Sequence, residues 1–435
     1  MIVLEYKIKA KQYQLTAIDE AIKTGQFVRN KALRYWMDNK GVNKYDLNKY
    51  CRVLAKEFSF ADKLNSTARQ SSAERAWSAI ARFFDNCKKN KPGKKADATE
   101  PSSHGGSQAH QAGFPKFKKY SRSVEYKQSG WKLDKKTKKH ITFTDKNDIG
   151  RVKLVGSRNI YFYQPEQIKR VRLVRRADGY YCQFCVSIEV KEDMQPTGRA
   201  IGLDMGLKYF YADSFGHTEE NPRFYRKSEQ RLNRLSRRLS RKYQNTNKGK
   251  KGKQMSKNPK QRQSNNYHKS RVARAKQHLR VSRQRKDHAV KLARCVCASN
   301  DCIAYEDLNV KNLVSNRKLS KSIADAGWTQ FRNWVEYYGK RFDKITIAVP
   351  PHYTSQDCPA CGMRIKKSLS TRTHVCKCGY IEDRDIAASI NILKKGLSTG
   401  GHLGTYAWGE TPSWAVGVSL SSNGDSLNQE SLTKI

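Results

Sequence analysis

Three acidic residues lie far apart in the chain, each in or beside a short apolar segment. Asp204 sits in Ile201-Gly202-Leu203-Asp204-Met205-Gly206-Leu207, Glu306 in Cys302-Ile303-Ala304-Tyr305-Glu306-Asp307-Leu308, and Asp385 in Asp383-Arg384-Asp385-Ile386-Ala387-Ala388. A carboxylate in an apolar strand costs several kcal/mol unless it is paired or bound to a metal. Any fold that buries these segments must therefore supply each carboxylate with a partner. If the three converge, they make a hard-oxygen site suited to two Mg²⁺ ions and phosphodiester chemistry, with Asp204 bridging the pair. Each also has an ordinary reading alone: Asp204 shaping a glycine turn, Glu306 facing solvent on an edge strand, Asp385 capping a helix.

Cysteine usage adds a second metal. Cys358-Pro359-Ala360-Cys361 and Cys376-Lys377-Cys378-Gly379 are two thiol pairs separated by fourteen residues. That arrangement suits a closed, structural Zn²⁺ site in a ribbon with two knuckles. The second pair is CxC where CxxC is usual, and His374 is a substitute ligand to consider. Cys182 and Cys185 share the CxxC spacing but read as strand residues facing opposite ways, so core packing is expected. Cys51, Cys87, Cys295, Cys297 and Cys302 read as structural. Eleven cysteines, an odd number over a long chain, argue for reduced thiols rather than a disulfide framework.

Lys plus Arg number 86 against 39 Asp plus Glu in 435 residues, a formal net charge of +47. Such an excess points to a polyanionic partner, nucleic acid above all. No apolar run approaches the roughly 20 residues of a membrane span. The N-terminus lacks the pattern of a signal peptide, so a cytoplasmic protein with no membrane partner is expected.

Along the chain, Leu4, Tyr6 and Ile8 alternate with charged residues and read as a strand. Helical periodicity runs from 13 to 92, and 93–113 reads as a flexible loop. Period-two strands then flank Ala177-Asp178-Gly179 as a hairpin with an Asp-Gly turn. The opening strand and these later strands are expected to form a barrel from 1–12 and 114–197, with the 13–92 helices inserted. From 198 to 397 strands and helices alternate as in an α/β domain. Within it, 223–291 reads as a basic helical hairpin with a mobile tip from Asn245 to Asn266. Its apolar stripes are Leu232, Leu235 and Leu239 on one side and Val272, Leu279 and Val290 on the other. Arg234, Arg237, Arg238 and Arg241 are its candidate phosphate contacts. Lys116 and Lys118, interleaved with Phe114, Phe117 and Tyr120, form a second nucleic-acid candidate. Residues 350–382 carry the ribbon, and 398–435 read as a disordered tail.

The succession GLDMGL, AYEDLN, the cysteine ribbon and DRDIAASINIL resembles the RuvC-type nuclease of the transposon-encoded TnpB family. That family is similar to compact type V CRISPR effectors and to Fanzor proteins. Val349-Pro350-Pro351, Thr354-Ser355-Gln356 and Ser129-Gly130-Trp131-Lys132 add to the match, which covers residues 1–397. The resemblance implies a multidomain α/β protein: a wedge-like β-barrel carrying a helical recognition lobe, and an RNase H-like RuvC domain with a zinc ribbon. It assigns Asp204, Glu306 and Asp385 as the metal-binding triad, with Asp383 a close neighbour. It implies guide RNA and target double-stranded DNA as partners, and it leaves oligomeric state open. Two positions depart from the family pattern: Ala387 stands where Asn is common, and Val290 where His is frequent. A nuclease-inactive RNA-guided repressor and a CRISPR-associated effector are the alternative functions. An RNA-binding structural protein with a zinc ribbon leaves the three acids unexplained.

Overall fold

Alternation along β1 (Ile2–Lys9) turns Leu4, Tyr6 and Ile8 inward and leaves Val3, Lys7 and Lys9 outward. In a computed structural model, which describes residues 2–88, 113–134, 139–157, 160–188, 191–243, 263–368 and 371–400, the chain divides into two units, 1–189 and 190–435. Among the described residues no helix is long and apolar enough to cross a membrane.

In the first unit β1 is followed by α1 (Gln12–Asp38), α2 (Lys44–Glu57), α3 (Ser59–Lys63) and α4 (Ser66–Lys88). Six strands come next: β2 (Ser123–Tyr126), β3 (Trp131–Leu133), β4 (His140–Phe143), β5 (Arg151–Val155), β6 (Ile168–Arg176) and β7 (Gly179–Val186). They form one sheet in the order β2-β6-β7-β1-β5-β4-β3. The edge strands β2 and β3 are joined by one short turn, Gln128–Gly130. Seven flat strands would span roughly 29 Å, whereas five residues of chain reach at most about 18 Å, so the sheet must curl strongly. Its concave core holds Leu4, Tyr6, Leu173 and Phe184 together with Ile18 and Ile22 of α1. The rest of α1 packs with α2 and α4 around Val28, Leu33, Leu47, Leu54 and Ile80.

The β6–β7 turn is Ala177-Asp178, one residue earlier than the Asp-Gly turn expected. Gly179 already pairs with Arg176, and its φ of 137° suits glycine. Glu125 on β2 is buried and held by Arg75, Arg170 and Arg172 at 3.5, 2.7 and 2.7 Å, which ties α4 and β6 to the sheet edge. The expected 93–113 loop falls almost wholly outside the described residues.

The second unit contains β8 (Ala200–Asp204), β9 (Tyr209–Asp213), β10 (Thr218–Glu220), α5 (Phe224–Arg241) and α6 (Asn265–Ser299). It continues with β11 (Cys302–Glu306), α7 (Val310–Leu313), α8 (Ser320–Ala326), α9 (Trp328–Phe342) and β12 (Ile345–Val349). It ends with β13 (Thr373–Val375), β14 (Ile381–Asp383) and α10 (Arg384–Gly400). The main sheet has the order β10-β9-β8-β11-β12; β11 is parallel to both β8 and β12, and β9 is antiparallel to β8. Ile201, Leu203, Ile303 and Tyr305 face a core shared with Val296 of α6 and Phe331 and Val335 of α9. Cys302, Ala304, Ile347 and Val349 point to the other face and pack on Ile392 of α10.

Four expected boundaries move. Helix α6 runs to Ser299, beyond the 291 limit of the basic hairpin, because Ala293, Val296 and Cys297 are core residues. Its hairpin-facing stripe is Ser270, Gln277 and Val281, whereas Val272 is exposed. Asn265 and Asn266, assigned to the hairpin tip, open α6 behind a Ser264 cap, and 244–262 lie outside the described residues. Helix α10 extends to Gly400, into the stretch expected as tail, of which 401–435 are outside the described residues. Residues 191–197 were expected in the first unit, yet the Glu192 N–H donates to Arg341 O at 2.8 Å within the second.

Candidate functional site

The parallel register pairs Ala304 with Gly202 and Tyr305 with Leu203. Carried on by one residue, it sets Glu306 beside Asp204 at the C-terminal ends of adjacent strands. Period two then sends both side chains toward the α10 face. Asp385 lies in the first turn of α10. The helix reaches the sheet because glycine leaves room: a Cβ on Gly202 would stand 2.1 Å from Ser389 O, and one on Gly396 would stand 2.6 Å from Ala304 Cβ. The three predicted acids are thus brought together by one strand pair and one helix terminus.

Their electrostatics follow from this placement. Burial, then the charges of Glu306 and Asp385, push the Asp204 carboxyl well above the ordinary carboxylate range, with Asp383 adding a smaller effect and Arg384 opposing. Burial also raises Glu306, against a hydrogen bond from Thr354 and the charge of Lys395. Asp385 is buried and balanced by Arg384 at 3.1 Å and Arg372 at 3.6 Å. Asp383, two residues away, accepts the Asp385 N–H at 2.8 Å and so caps the helix. The carboxylate oxygens are not gathered within 4.8 Å of one another, in contrast to the thiols of the ribbon. All three acids offer hard oxygens. The donor set therefore fits Mg²⁺.

Several residues of this site are absent from the sequence reading as functional groups. Thr354, noted there only within the TSQ match, is buried, and its Oγ donates to Glu306 Oε1 at 2.5 Å. Asn391 on α10 donates from Nδ2 to Thr354 O at 2.8 Å and to Asp357 O at 2.7 Å. Ala387, where the family commonly has Asn, is buried on the same helix.

The four ribbon cysteines come together. Their Sγ atoms all lie within 4.8 Å of one another, with Cys358–Cys378 at 3.7 Å and Cys361–Cys376 at 3.5 Å. A tetrahedral Zn²⁺ with ~2.3 Å bonds requires sulfur separations of about 3.8 Å, so the cluster fits that ion. Burial pushes the Cys358 thiol up, but the N–H groups of Cys361 and Ala360 and the neighbouring thiols outweigh it and bring it down to about 7. His374 is fully buried outside the cluster. Cys182 and Cys185 are buried on β7 with free thiols.

Of the nucleic-acid candidates, Arg234, Arg237, Arg238 and Arg241 all lie exposed on α5, opposite the stripe led by buried Leu232. The base of α5 is fixed by buried Asp325, which accepts the Tyr225 and Arg226 N–H groups and pairs with Arg285 of α6 at 2.7 Å. Lys116 and Lys118 are exposed. Their backbone is pinned along α1 by Gln26, Arg29 and Asn30. Phe114 packs on Trp36 and Phe83, yet it and Phe117 are both half exposed.

Residues 183–317 match a sequence family described as a probable transposase, and residues 328–392 match the Cas12f1-like TNB domain. A TnpB-like protein of Acanthamoeba polyphaga mimivirus, L79, is 30% identical over 129 residues, 28% of this chain and 25% of that one. The chain belongs to the TnpB family. Among other relatives, a putative RNA-guided DNA endonuclease of Streptomyces pristinaespiralis is 33% identical over 224 residues, half of each chain. The putative RNA-guided DNA endonuclease InsQ of Escherichia coli K12 is 27% identical over 303 residues, 66% of this TnpB chain and 69% of that protein. The chain thus matches about half the length of the Streptomyces relative and about two thirds of the E. coli one.

Proposed function

We propose that this TnpB protein is an RNA-guided, Mg²⁺-dependent DNA endonuclease. The observation that carries the reading is the convergence of Asp204, Glu306 and Asp385, from three distant segments, on the face of one sheet. The sheet order, in which three antiparallel strands lead into two parallel ones, supports an RNase H-like RuvC domain over 198–397. The curled N-terminal sheet supports a wedge-like barrel, and α1–α4 a recognition lobe. Guide RNA pairing would select the target, with the protein contributing backbone contacts and recognition of a short flanking duplex.

Asp204, Glu306 and Asp385 would hold two Mg²⁺ ions, and the four thiols would hold a structural Zn²⁺. When bound, the magnesium pair supplies water activation and stabilisation of the leaving 3′ oxygen. The protein's part is to present oxygens from rigid elements in a partly dry setting. Arg384 and Arg372 pair with Asp385 at 3.1 and 3.6 Å and orient it. The exposed arginines of α5 carry backbone phosphates.

The nuclease-inactive repressor is favoured only by Ala387 and by the arginine pairs that occupy Asp385. The test is cleavage of guide-matched plasmid by protein purified with its RNA, in Mg²⁺ and in EDTA. Cutting in Mg²⁺ alone, lost in Asp204→Ala, supports the nuclease. Tight guide-directed binding with no cutting under either condition would establish the repressor.

A further inference from the structure

We infer that Thr354 is a positioning residue for Glu306, and that Asn391 sets Thr354 through the loop leading into the cysteine ribbon. The inference deepens the Mg²⁺ reading and rests on it. Glutamate carries a long, flexible side chain, so a ligand role requires something to fix which oxygen faces the ion. Here the Thr354 hydroxyl donates to Oε1 at 2.5 Å, and its other acceptor, Pro351 O, is distant at 3.4 Å. That bond uses Oε1 and leaves Oε2 free to turn toward the site.

Thr354 is itself not free to drift. Its carbonyl accepts from Asn391 Nδ2 at 2.8 Å, and the same amide donates to Asp357 O at 2.7 Å, one residue before Cys358. Glu306, Thr354 and Asn391 are all buried. Asn391 rides on α10, the helix whose first turn carries Asp385. One helix therefore delivers one acid directly and orients another through a two-residue strut. Hydrogen bonds of this kind behind a metal ligand typically change metal affinity or activity 10–100-fold.

The test compares Thr354→Val, which keeps the shape and deletes the hydroxyl, with Thr354→Ser, which restores it. Four quantities are measured on the full chain with its copurified RNA: single-turnover cleavage against Mg²⁺ concentration, Mn²⁺ binding by electron paramagnetic resonance, zinc content, and target-DNA affinity. Thr354→Val is expected to cut about 10–100-fold more slowly and to bind Mn²⁺ more weakly by a similar factor. Zinc content and DNA affinity stay at the wild-type level, and Thr354→Ser recovers both rate and Mn²⁺ binding. A valine variant equal to wild type, or a serine variant as impaired as valine, overturns the inference. If Thr354→Val loses zinc, Thr354→Ala supplies the same deletion without the extra methyl. A wild type that does not cut, but whose Mn²⁺ affinity still separates valine from serine, sinks the nuclease reading and leaves the strut standing. Unchanged Mn²⁺ binding in Glu306→Gln sinks both.

Discussion

Asp383 and Asp385 stand two residues apart and do different work. Asp383 spends an oxygen on the Asp385 N–H, whereas Asp385 is buried between arginines on the side of the other acids. Asp383→Ala should therefore cost about 1 kcal/mol of helix capping, read as a small drop in melting temperature, and leave cleavage largely intact. Asp204→Ala, Glu306→Ala and Asp385→Ala should each abolish Mg²⁺-dependent cleavage while sparing guide and target binding. A double substitution should add little, because ligands of one site act as a unit. Dead Asp383→Ala alongside active Asp385→Ala would reverse the two roles. The acids were legible because burying a carboxylate in an apolar segment is costly enough to show in sequence. Thr354 and Asn391 were not, since an uncharged threonine or asparagine in sequence does not say whether it will be buried. Their partners, moreover, lie 48 and 37 residues away and become neighbours only in the fold.

At the scale of elements, the site depends on how closely α10 approaches β8. The clearance at Gly202 is negative for any side chain, and the blocking atom is helix backbone, which cannot rotate away. Gly202→Ala is expected to displace α10, destabilise the second unit by about 1–3 kcal/mol as overpacking does, and eliminate cutting though every acid remains. Wild-type melting and cleavage for that variant would show that the helix has slack. The ribbon makes a parallel case. Cys376→Ser should lose bound zinc and loosen the ribbon, because metal binding there is coupled to folding, while Cys182→Ser keeps full zinc content by elemental analysis. Equal zinc in both would remove the assignment. Strand–helix alternation and thiol spacing were readable because periodicity and ligand geometry are local. The end of α6 was not: its Lys and Arg run continues past the point where the helix turns from solvent to core, so composition hid the change of environment. Val281 was passed over for Val272 because two β-branched residues on a polar helix look alike until a neighbour selects one face.

For the whole molecule, the +47 charge is the term that no single site explains. Phosphate neutralisation releases counterions, and each contact steepens the fall of affinity with salt by about 0.9 on duplex DNA and about 0.7 on single strands. The α5 arginines are well placed to contribute: Arg234, Arg237, Arg238 and Arg241 share one exposed face, and Asp325 clamps the helix base so that this face is held in a fixed direction. None of the four supports the core, which α5 meets through Leu232. Replacing all four by Gln should leave melting temperature and zinc content unchanged and weaken nucleic-acid binding at low salt. It should also flatten the logarithmic salt slope by up to about 3.6 units on duplex DNA if all four touch phosphate. Binding of guide RNA and of target duplex, each titrated at several KCl concentrations, separates which strand runs along α5. A slope unchanged for both would place the phosphate path elsewhere, with the pinned Lys116–Lys118 segment of the first unit the next surface to neutralise.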